Sequence, residues 1–214
     1  MHASRERAAL LLGCDPSELA KHVGQAVKNP IAPVVVPAAQ APCQEKVFYA
    51  DDPEFDLRKL LPAPTNTPID AGPFFCLGLV LASDPEDASL TDVTIHRLCV
   101  QERDELSMFL AAGRHIEVFR KKAEEAGKPL PVTINMGLDP AIYIGACFEA
   151  PTTPFGYNEL GVAGALRQTP VELVQGVAVN EKAIARAEII IEGELLPGVR
   201  VEEDQHTHTG HAMP

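Results

Sequence analysis

The chain has 214 residues, 46% of them hydrophobic and 22% charged, which is typical of a globular protein with one sizeable domain. Its formal net charge of −12 argues against a nucleic-acid partner, because phosphate backbones are bound through clustered Lys and Arg. No apolar run approaches the roughly 20 residues of a membrane-spanning helix and the N-terminus is a poor secretory signal, so no membrane partner is expected.

The five cysteines are scattered, odd in number and form no CxxC pair. This pattern favours reduced thiols over a disulfide framework or a zinc site, and it predicts a cytoplasmic protein. The cysteines are Cys14, Cys43, Cys76, Cys99 and Cys147.

The first part of the chain is predicted to be helical over residues 4–28. Ser4 is a candidate cap for a first helix, and Asp15 followed by Pro16 is a candidate start for a second. The next stretch, "NPIAPVVVPAAQAPCQE", is punctuated by prolines and predicts an extended connector. We therefore divide the chain into a helical segment with a linker, residues 1–40, and a main domain, residues 41–214.

The main domain alternates short strands with short helices. The predicted strands are "KVFYA", "FFCLGLVLA", "TDVTIHRLCV", "LSMFLAA", "PVTINMGL", "VELVQGVAV" and "AEIIIEGEL". The predicted helices are "RHIEVFRKKAEEAGKP", "DPAIYIGACF" and "NELGVAGALRQ", the last capped by Asn158. The apolar run of the last strand predicts a buried position. Six or seven strands with three short helices indicate an α+β fold on a mixed or closed sheet.

The strand "DVTIHR" carries unusual polar residues. Asp92, Thr94 and His96 share one face of it, and Arg97 shares the other face with apolar neighbours. An Arg on an apolar face is costly unless it meets an acid. The alternative is that Arg97 lies near the strand end and extends into solvent.

The segment "AAGRHIEVF" places Arg114 and His115 at the start of a predicted helix, after Gly113. Helix N-termini offer free N–H groups and partial positive charge, which suits a phosphate. An ordinary surface Arg-His pair is the alternative.

Glu159, in "GYNELGVAG", also lies in the first turn of a helix, where a Glu commonly offsets the helix dipole. Alternatively, its carboxylate reaches a metal ion. Asp92, His115 and Glu159 together would offer two hard oxygens and one imidazole, which suits Mn²⁺ or Mg²⁺ completed by phosphate oxygens. Residue spacing alone does not bring the three together.

At these same residues, from about position 41 onward, the chain resembles the UbiD family of reversible aromatic and α,β-unsaturated acid decarboxylases. "TDVTIHR" is similar to the family's T-N-x-G-I-x-R, "GRHI" to Q-H-I, and "PVTINMGLDPAIYIGA" to P-V-x-x-x-x-G-x-D-P-A. "NELGVAGALR" is similar to S-E-x-x-x-A-G-x-L-R, and "AEIIIEGEL" to A-E-I-V-L-E-G. The C-terminal segment is most similar to the branch acting on hydroxylated or heteroaromatic acids.

The resemblance implies a split β-barrel of the flavin-reductase type that binds prenylated FMN. It implies a Mn²⁺ held by Asp92, His115 and Glu159 on the cofactor phosphate, and a K⁺ near Glu159 and the carbonyls of residues 147–149. Asp92 stands where the family usually has Asn, and Arg114 stands where some members have Gln. The cofactor-binding residues implied in this way are Asp92, Thr94, Ile95, Arg97, Arg114, His115 and Glu159.

The implied reaction is the non-oxidative, reversible decarboxylation of an aromatic or heteroaromatic acid. Arg97 would pair with the substrate carboxylate, and Glu202 would be the first acid of the family's catalytic network. The second acid falls on Thr207, which cannot deliver a proton as a carboxylic acid does, so His206, His208 or Glu203 would take that role.

The resemblance also bears on partners and on the end of the chain, "EEDQHTHTGHAMP". This end would be an active-site loop; a His-rich metal tail and an end without function are the alternatives. Family members have a complete N-terminal domain and a C-terminal domain used in oligomerisation, so we expect a fragment, a truncation or part of a split enzyme. A flavin prenyltransferase would supply the cofactor, and a homo-oligomer or the C-terminal portion would be a partner.

Two rival functions keep the same fold. The first is a non-catalytic module that holds flavin phosphate and metal within a split or multi-subunit decarboxylase. The second is an ordinary FMN-dependent split-barrel oxidoreductase.

Overall fold

The computed structural model describes residues 4–68, 70–148 and 153–201. The helices and strands are α1 Arg5–Leu12, α2 Leu19–Lys28, β1 Val34–Val35, α3 Leu57–Leu60, β2 Phe74–Ser83, β3 Thr91–Val100, β4 Leu106–Met108, α4 His115–Glu125, β5 Leu130–Met136, α5 Pro140–Gly145, α6 Leu160–Arg167, β6 Glu172–Gln175, β7 Lys182–Ile184 and β8 Ile189–Leu195. Two short 3-10 turns, Ala38–Gln40 and Pro42–Gln44, lie between β1 and α3.

The strands form two sheets. The larger is antiparallel, with the order β4-β3-β2-β5-β8, and curls into half of a barrel. The smaller has the order β1-β6-β7, with β1 parallel to β6. The predicted α+β fold is thus confirmed.

The side chains of the large sheet alternate between two apolar layers, as a strand period of two requires. On one side, Leu79, Leu81 and Val93 pack in a cluster with residues of α5 and α6. On the other, residues such as Val80 and Leu98 pack in a cluster with α4. The central strands β2 and β3 are therefore buried on both faces.

Asn135 connects the two sheets. This fully buried residue of β5 accepts a hydrogen bond from the backbone N–H of Ile184 in β7 at 2.8 Å. Its amide donates to the carbonyl oxygen of Leu79 in β2 at 3.1 Å. A buried side chain with these bonds satisfied fixes where the small sheet lies on the large one.

Three of the six α-helices in the described ranges begin at an N-cap residue whose side chain accepts a hydrogen bond from the first turn. Ser4 accepts a hydrogen bond from the backbone N–H of Arg7, and Asp139 accepts one from Ala141 with Pro140 at the first helical position. The expected helix start at Asp15 is wrong: α2 begins at Leu19, and Asp15 bonds Ser17 within a preceding turn.

Two predictions about strands are wrong. "KVFYA" forms no strand, and Val47, Phe48 and Tyr49 are exposed there. β8 is half-buried at the edge of the large sheet rather than fully buried. Its apolar side chains are partly buried on both faces: Ile190 packs on the cluster with α5 and α6, and Ile191 packs on the cluster with α4.

The helical segment and connector contact the rest of the fold. α2 contacts α6, and β1 of the connector pairs with β6.

From residue 45 onward the described chain has seven strands, in line with the expected six or seven, and four helices rather than three, because the short α3 was not anticipated. The division at residue 40 stays a prediction. None of the helices in the described ranges is long and apolar enough to cross a membrane.

The close packing of α6 gives a stability prediction. A Cβ added at Gly164 would lie 2.5 Å from the carbonyl oxygen of Ile31, so Gly164→Ala should lower the free energy of unfolding by about 1–3 kcal/mol. Gly24 in α2 is the matched control: it is helical and exposed, and an added Cβ meets nothing within 4 Å. Gly24→Ala should raise stability by about 0.5–1 kcal/mol. Urea denaturation measures both, and equal effects would contradict the packing.

Candidate metal and cofactor site

Three residues distant in sequence converge at one point of the fold. Asp92 lies near the start of β3, His115 is the first residue of α4, and Glu159 immediately precedes α6. Each offers one ligand atom, and these atoms lie within 4.8 Å of one another. The structure therefore assembles the same three residues that the sequence put forward as a candidate set.

Asp92 is 4% exposed and is held by the N-terminus of α4. Its Oδ2 accepts a hydrogen bond from the backbone N–H of Ile116 at 3.0 Å, and its Oδ1 lies 3.7 Å from Nδ1 of His115. One backbone N–H at the N-terminus of α4, where a phosphate was predicted to bind, is thus already hydrogen-bonded to a carboxylate of the chain. Burial raises the pKa of Asp92, and the nearby His115 and the Ile116 amide offset part of that rise.

Glu159 is 1% exposed, so it does not act as a solvent-exposed charge at a helix terminus. Burial raises the pKa of Glu159 to about 8, and the negative charge of Asp92 adds to the rise. The hydroxyl of Thr153 donates to Oε1 of Glu159 at 3.4 Å, which opposes it. Without a cation, this carboxyl holds its proton near neutral pH.

The ring of His115 packs against an aromatic residue that sequence reasoning missed. Phe155 meets it at a centroid distance of 5.0 Å and an interplanar angle of 84°. Thr153 was missed as well. Both residues lie in "TTPFGYNEL", directly ahead of Glu159, and this position was the only sequence signal for them. The turn-like composition of this segment does not indicate which of its side chains face the site.

The donor set fits a divalent cation. Burial raises the pKa of both carboxyl groups, and a bound cation would stabilise their ionised forms in place of the protons. Two carboxylate oxygens and one imidazole nitrogen are ligands that suit Mn²⁺. For the predicted K⁺ site, residues 147 and 148 are described, and residue 149 lies outside the described residues.

The remaining predicted residues of β3 lie in the middle of that strand. Thr94 is buried, Ile95 and Arg97 are partly buried, and the strand continues to Val100. Arg97 is therefore not at a strand end. His96 is also partly buried, and that burial lowers its pKa to about 4, so its imidazole is neutral near pH 7.

Arg114 is the residue before α4 and is exposed. Gly113 precedes it with a φ of 86°, a left-handed conformation that favours glycine. Arg114 and His115 lie at a helix N-terminus, as the sequence predicts. Phosphate binding there stays a prediction.

The catalytic residues expected near the end of the chain cannot be placed. Glu202, His206, Thr207 and His208 lie outside the described residues, as does the whole of 202–214. The three interpretations of that end stay predictions.

Comparison with known proteins gives consistent results. Residues 34–213 match the family model described as the UbiD 3-octaprenyl-4-hydroxybenzoate carboxy-lyase Rift-related domain. Gallate decarboxylase of Lactiplantibacillus plantarum is 53% identical over 213 residues, covering 99% of this chain and 43% of the relative.

Two solved structures are similar over nearly the whole chain. The apo 3,4-dihydroxybenzoic acid decarboxylase of Enterobacter cloacae is 94% identical with a TM-score of 0.90, covering 100% of this chain and 44% of that one. An evolved dimeric UbiD-class enzyme of Pelotomaculum thermopropionicum, in complex with prFMN, is 34% identical with a TM-score of 0.89, covering 99% of this chain and 48% of that one. The chain spans less than half the length of these relatives, and it belongs to the UbiD family.

Proposed function

We propose that this chain is the cofactor-binding part of a prenylated-FMN (prFMN)-dependent decarboxylase that acts without net oxidation on an aromatic or heteroaromatic carboxylic acid. The convergence of Asp92, His115 and Glu159 is the observation that carries the proposal. The relatives that act on gallate and 3,4-dihydroxybenzoic acid support a hydroxylated aromatic acid as substrate.

The three converging residues would hold Mn²⁺, and the phosphate of the flavin would complete its coordination. Asp92 contributes a full negative charge where the family usually has a neutral Asn. The exposed guanidinium of Arg114, beside His115, would offset that charge by pairing with the phosphate. A K⁺ near Glu159 belongs to the same proposal.

The flavin ring would lie along β3, against Thr94, Ile95 and Arg97. When bound, prFMN supplies the electron sink for breaking the bond to the carboxylate. Arg97 would pair with the substrate carboxylate and orient it, and the partial burial of its side chain would strengthen that pair relative to water. Glu202 and His206 would move the proton, in a region outside the described residues.

The proposal also names partners. A flavin prenyltransferase would supply the cofactor, and a second copy of the chain or the portion that makes up the rest of the longer relatives would complete the assembly. Neither nucleic acid nor a membrane is proposed as a partner. A cytoplasmic location would suit the scattered cysteines, which are free in the structure.

Co-expression of the chain with a flavin prenyltransferase tests the proposal. A purified protein with a modified-flavin spectrum and CO₂ release from 3,4-dihydroxybenzoate supports it. Cofactor retention without CO₂ release would favour a binding module, and plain FMN with NAD(P)H oxidation would favour an oxidoreductase. The chain's span of less than half of its relatives is the observation that favours the binding module as the second candidate.

The raised pKa of Glu159 predicts pH-dependent metal binding. Below about pH 8 the carboxyl of the metal-free chain is protonated, so Mn²⁺ must displace a proton and its affinity should rise from pH 6 to pH 8. Because the folded-state pKa is raised from the ordinary 4.5 to about 8, the metal-free chain should also lose stability as pH rises from about 4.5 to about 8, and Mn²⁺ should remove that loss.

Calorimetric titration in buffers of different ionisation enthalpy measures the proton release. Glu159→Gln should weaken Mn²⁺ binding at least tenfold and flatten the dependence on pH. Glu188→Gln, at an exposed carboxylate outside the site, is the control and should change neither property. Unchanged pH dependence in Glu159→Gln would contradict the assignment.

Arg97 gives a separate prediction. Arg97→Ala should abolish decarboxylation, or reduce it at least about a hundredfold, while the flavin stays bound, because the carboxylate clamp is lost and the proposed phosphate anchor at the metal site is left intact. Arg186, which is 66% exposed and paired with Glu172, provides the control Arg186→Ala with turnover unchanged. CO₂ release and the flavin spectrum are measured together. Turnover that survives Arg97→Ala would refute the clamp.

A further inference from the structure

Phe155 lies across the face of α4 that carries His115. In addition to its contact with His115, its ring meets Phe119 at a centroid distance of 6.0 Å and an interplanar angle of 76°. His115 and Phe119 are four residues apart and therefore lie on the same side of the helix. Phe155 is 50% exposed, whereas Phe119 is 1% exposed. One part of the Phe155 ring thus packs on the candidate ligand and on the core, and the rest faces solvent.

Hydrogen bonds on both sides hold this segment in place. The hydroxyl of Thr153, whose single proton is shared with Glu159, lies 3.2 Å from the carbonyl oxygen of Phe148. The hydroxyl of Tyr157 donates to the carbonyl oxygen of Val27 in α2 at 2.8 Å. Phe155 lies between these two anchors, so its position over α4 is set by the fold and not by its own contacts alone.

The orientation of the His115 ring matters because only its nitrogens can bind a cation. Nδ1 lies on the side of Asp92. Rotation of the ring by half a turn would replace this nitrogen with a carbon and move the nitrogen away from Asp92. A perpendicular aromatic ring packed against the imidazole opposes that rotation, and aromatic pairs of this geometry are favourable beyond their buried area.

We propose that Phe155 is a positioning residue for the metal site, which acts by fixing the imidazole of His115 and covering it from water. This inference rests on the proposed function, since it requires that Asp92, His115 and Glu159 bind a divalent cation. Loss of this positioning should affect the two cations differently, because the imidazole nitrogen favours Mn²⁺, while the two carboxylates bind Mg²⁺ almost as well.

The inference is tested by titrating the purified, flavin-free chain with Mn²⁺. The electron paramagnetic resonance signal of free Mn²⁺ reports the affinity for Mn²⁺, and competition with Mg²⁺ reports the affinity for Mg²⁺. Phe155→Leu should weaken Mn²⁺ binding about tenfold. It should weaken Mg²⁺ binding by less than about threefold. Phe155→Tyr, which keeps the ring, should bind both ions as the unmodified chain does. Phe48→Leu replaces a phenylalanine that is 64% exposed in another part of the chain, and it should have no effect.

The outcomes separate this inference from the proposed function. An unmodified chain that binds no Mn²⁺ would refute the metal site itself. An unmodified chain that binds Mn²⁺, together with a Phe155→Leu variant that binds it equally well, would refute only the role of Phe155. An equal loss for Mn²⁺ and Mg²⁺ would also refute it, because such a loss does not act through the imidazole. Should Phe155→Leu fail to fold, Phe155→Met is titrated in its place under the same criteria.

Discussion

Two carboxylates buried side by side are the constraint on which the site depends. Asp92 and Glu159 are almost completely removed from water, and each makes ionisation of the other less favourable. Such a pair can be relieved by protons or by a cation. The nearby groups favour the cation: an imidazole is within reach, and the backbone amide of Ile116 binds one oxygen of Asp92 while the other oxygen lies 3.7 Å from Nδ1 of His115.

The fold meets this constraint by bringing together elements that are not neighbours in the chain. β3 supplies one ligand, the start of α4 the second, and the residue before α6 the third. α4 lies on one face of the large sheet and α6 packs in the cluster on the other. The site lies where these layers meet, and Glu159 directly precedes α6, which approaches Ile31 so closely at Gly164 that an added Cβ would not fit.

Sequence patterns predicted the central part of the fold and the members of the site, but not their geometry. β2, β3 and α4 were predictable because their apolar periods match the layers that they face. "KVFYA" was not, because β-propensity forms a strand only where another strand is available to pair. The predicted burial of β8 failed because an apolar run does not distinguish an edge from a centre. Phe155 acts through a long-range contact, which no local pattern encodes.

The wide separation of the ligands along the chain has a consequence for biosynthesis. A growing polypeptide presents Asp92 first, then His115, and only much later Glu159, so the full set of donors cannot exist until α6 has left the ribosome and docked. A metal ion or flavin that arrived earlier would meet at most a partial set of ligands. Under the proposed function, loading of the cofactor would therefore be a late event that follows closure of these long-range contacts.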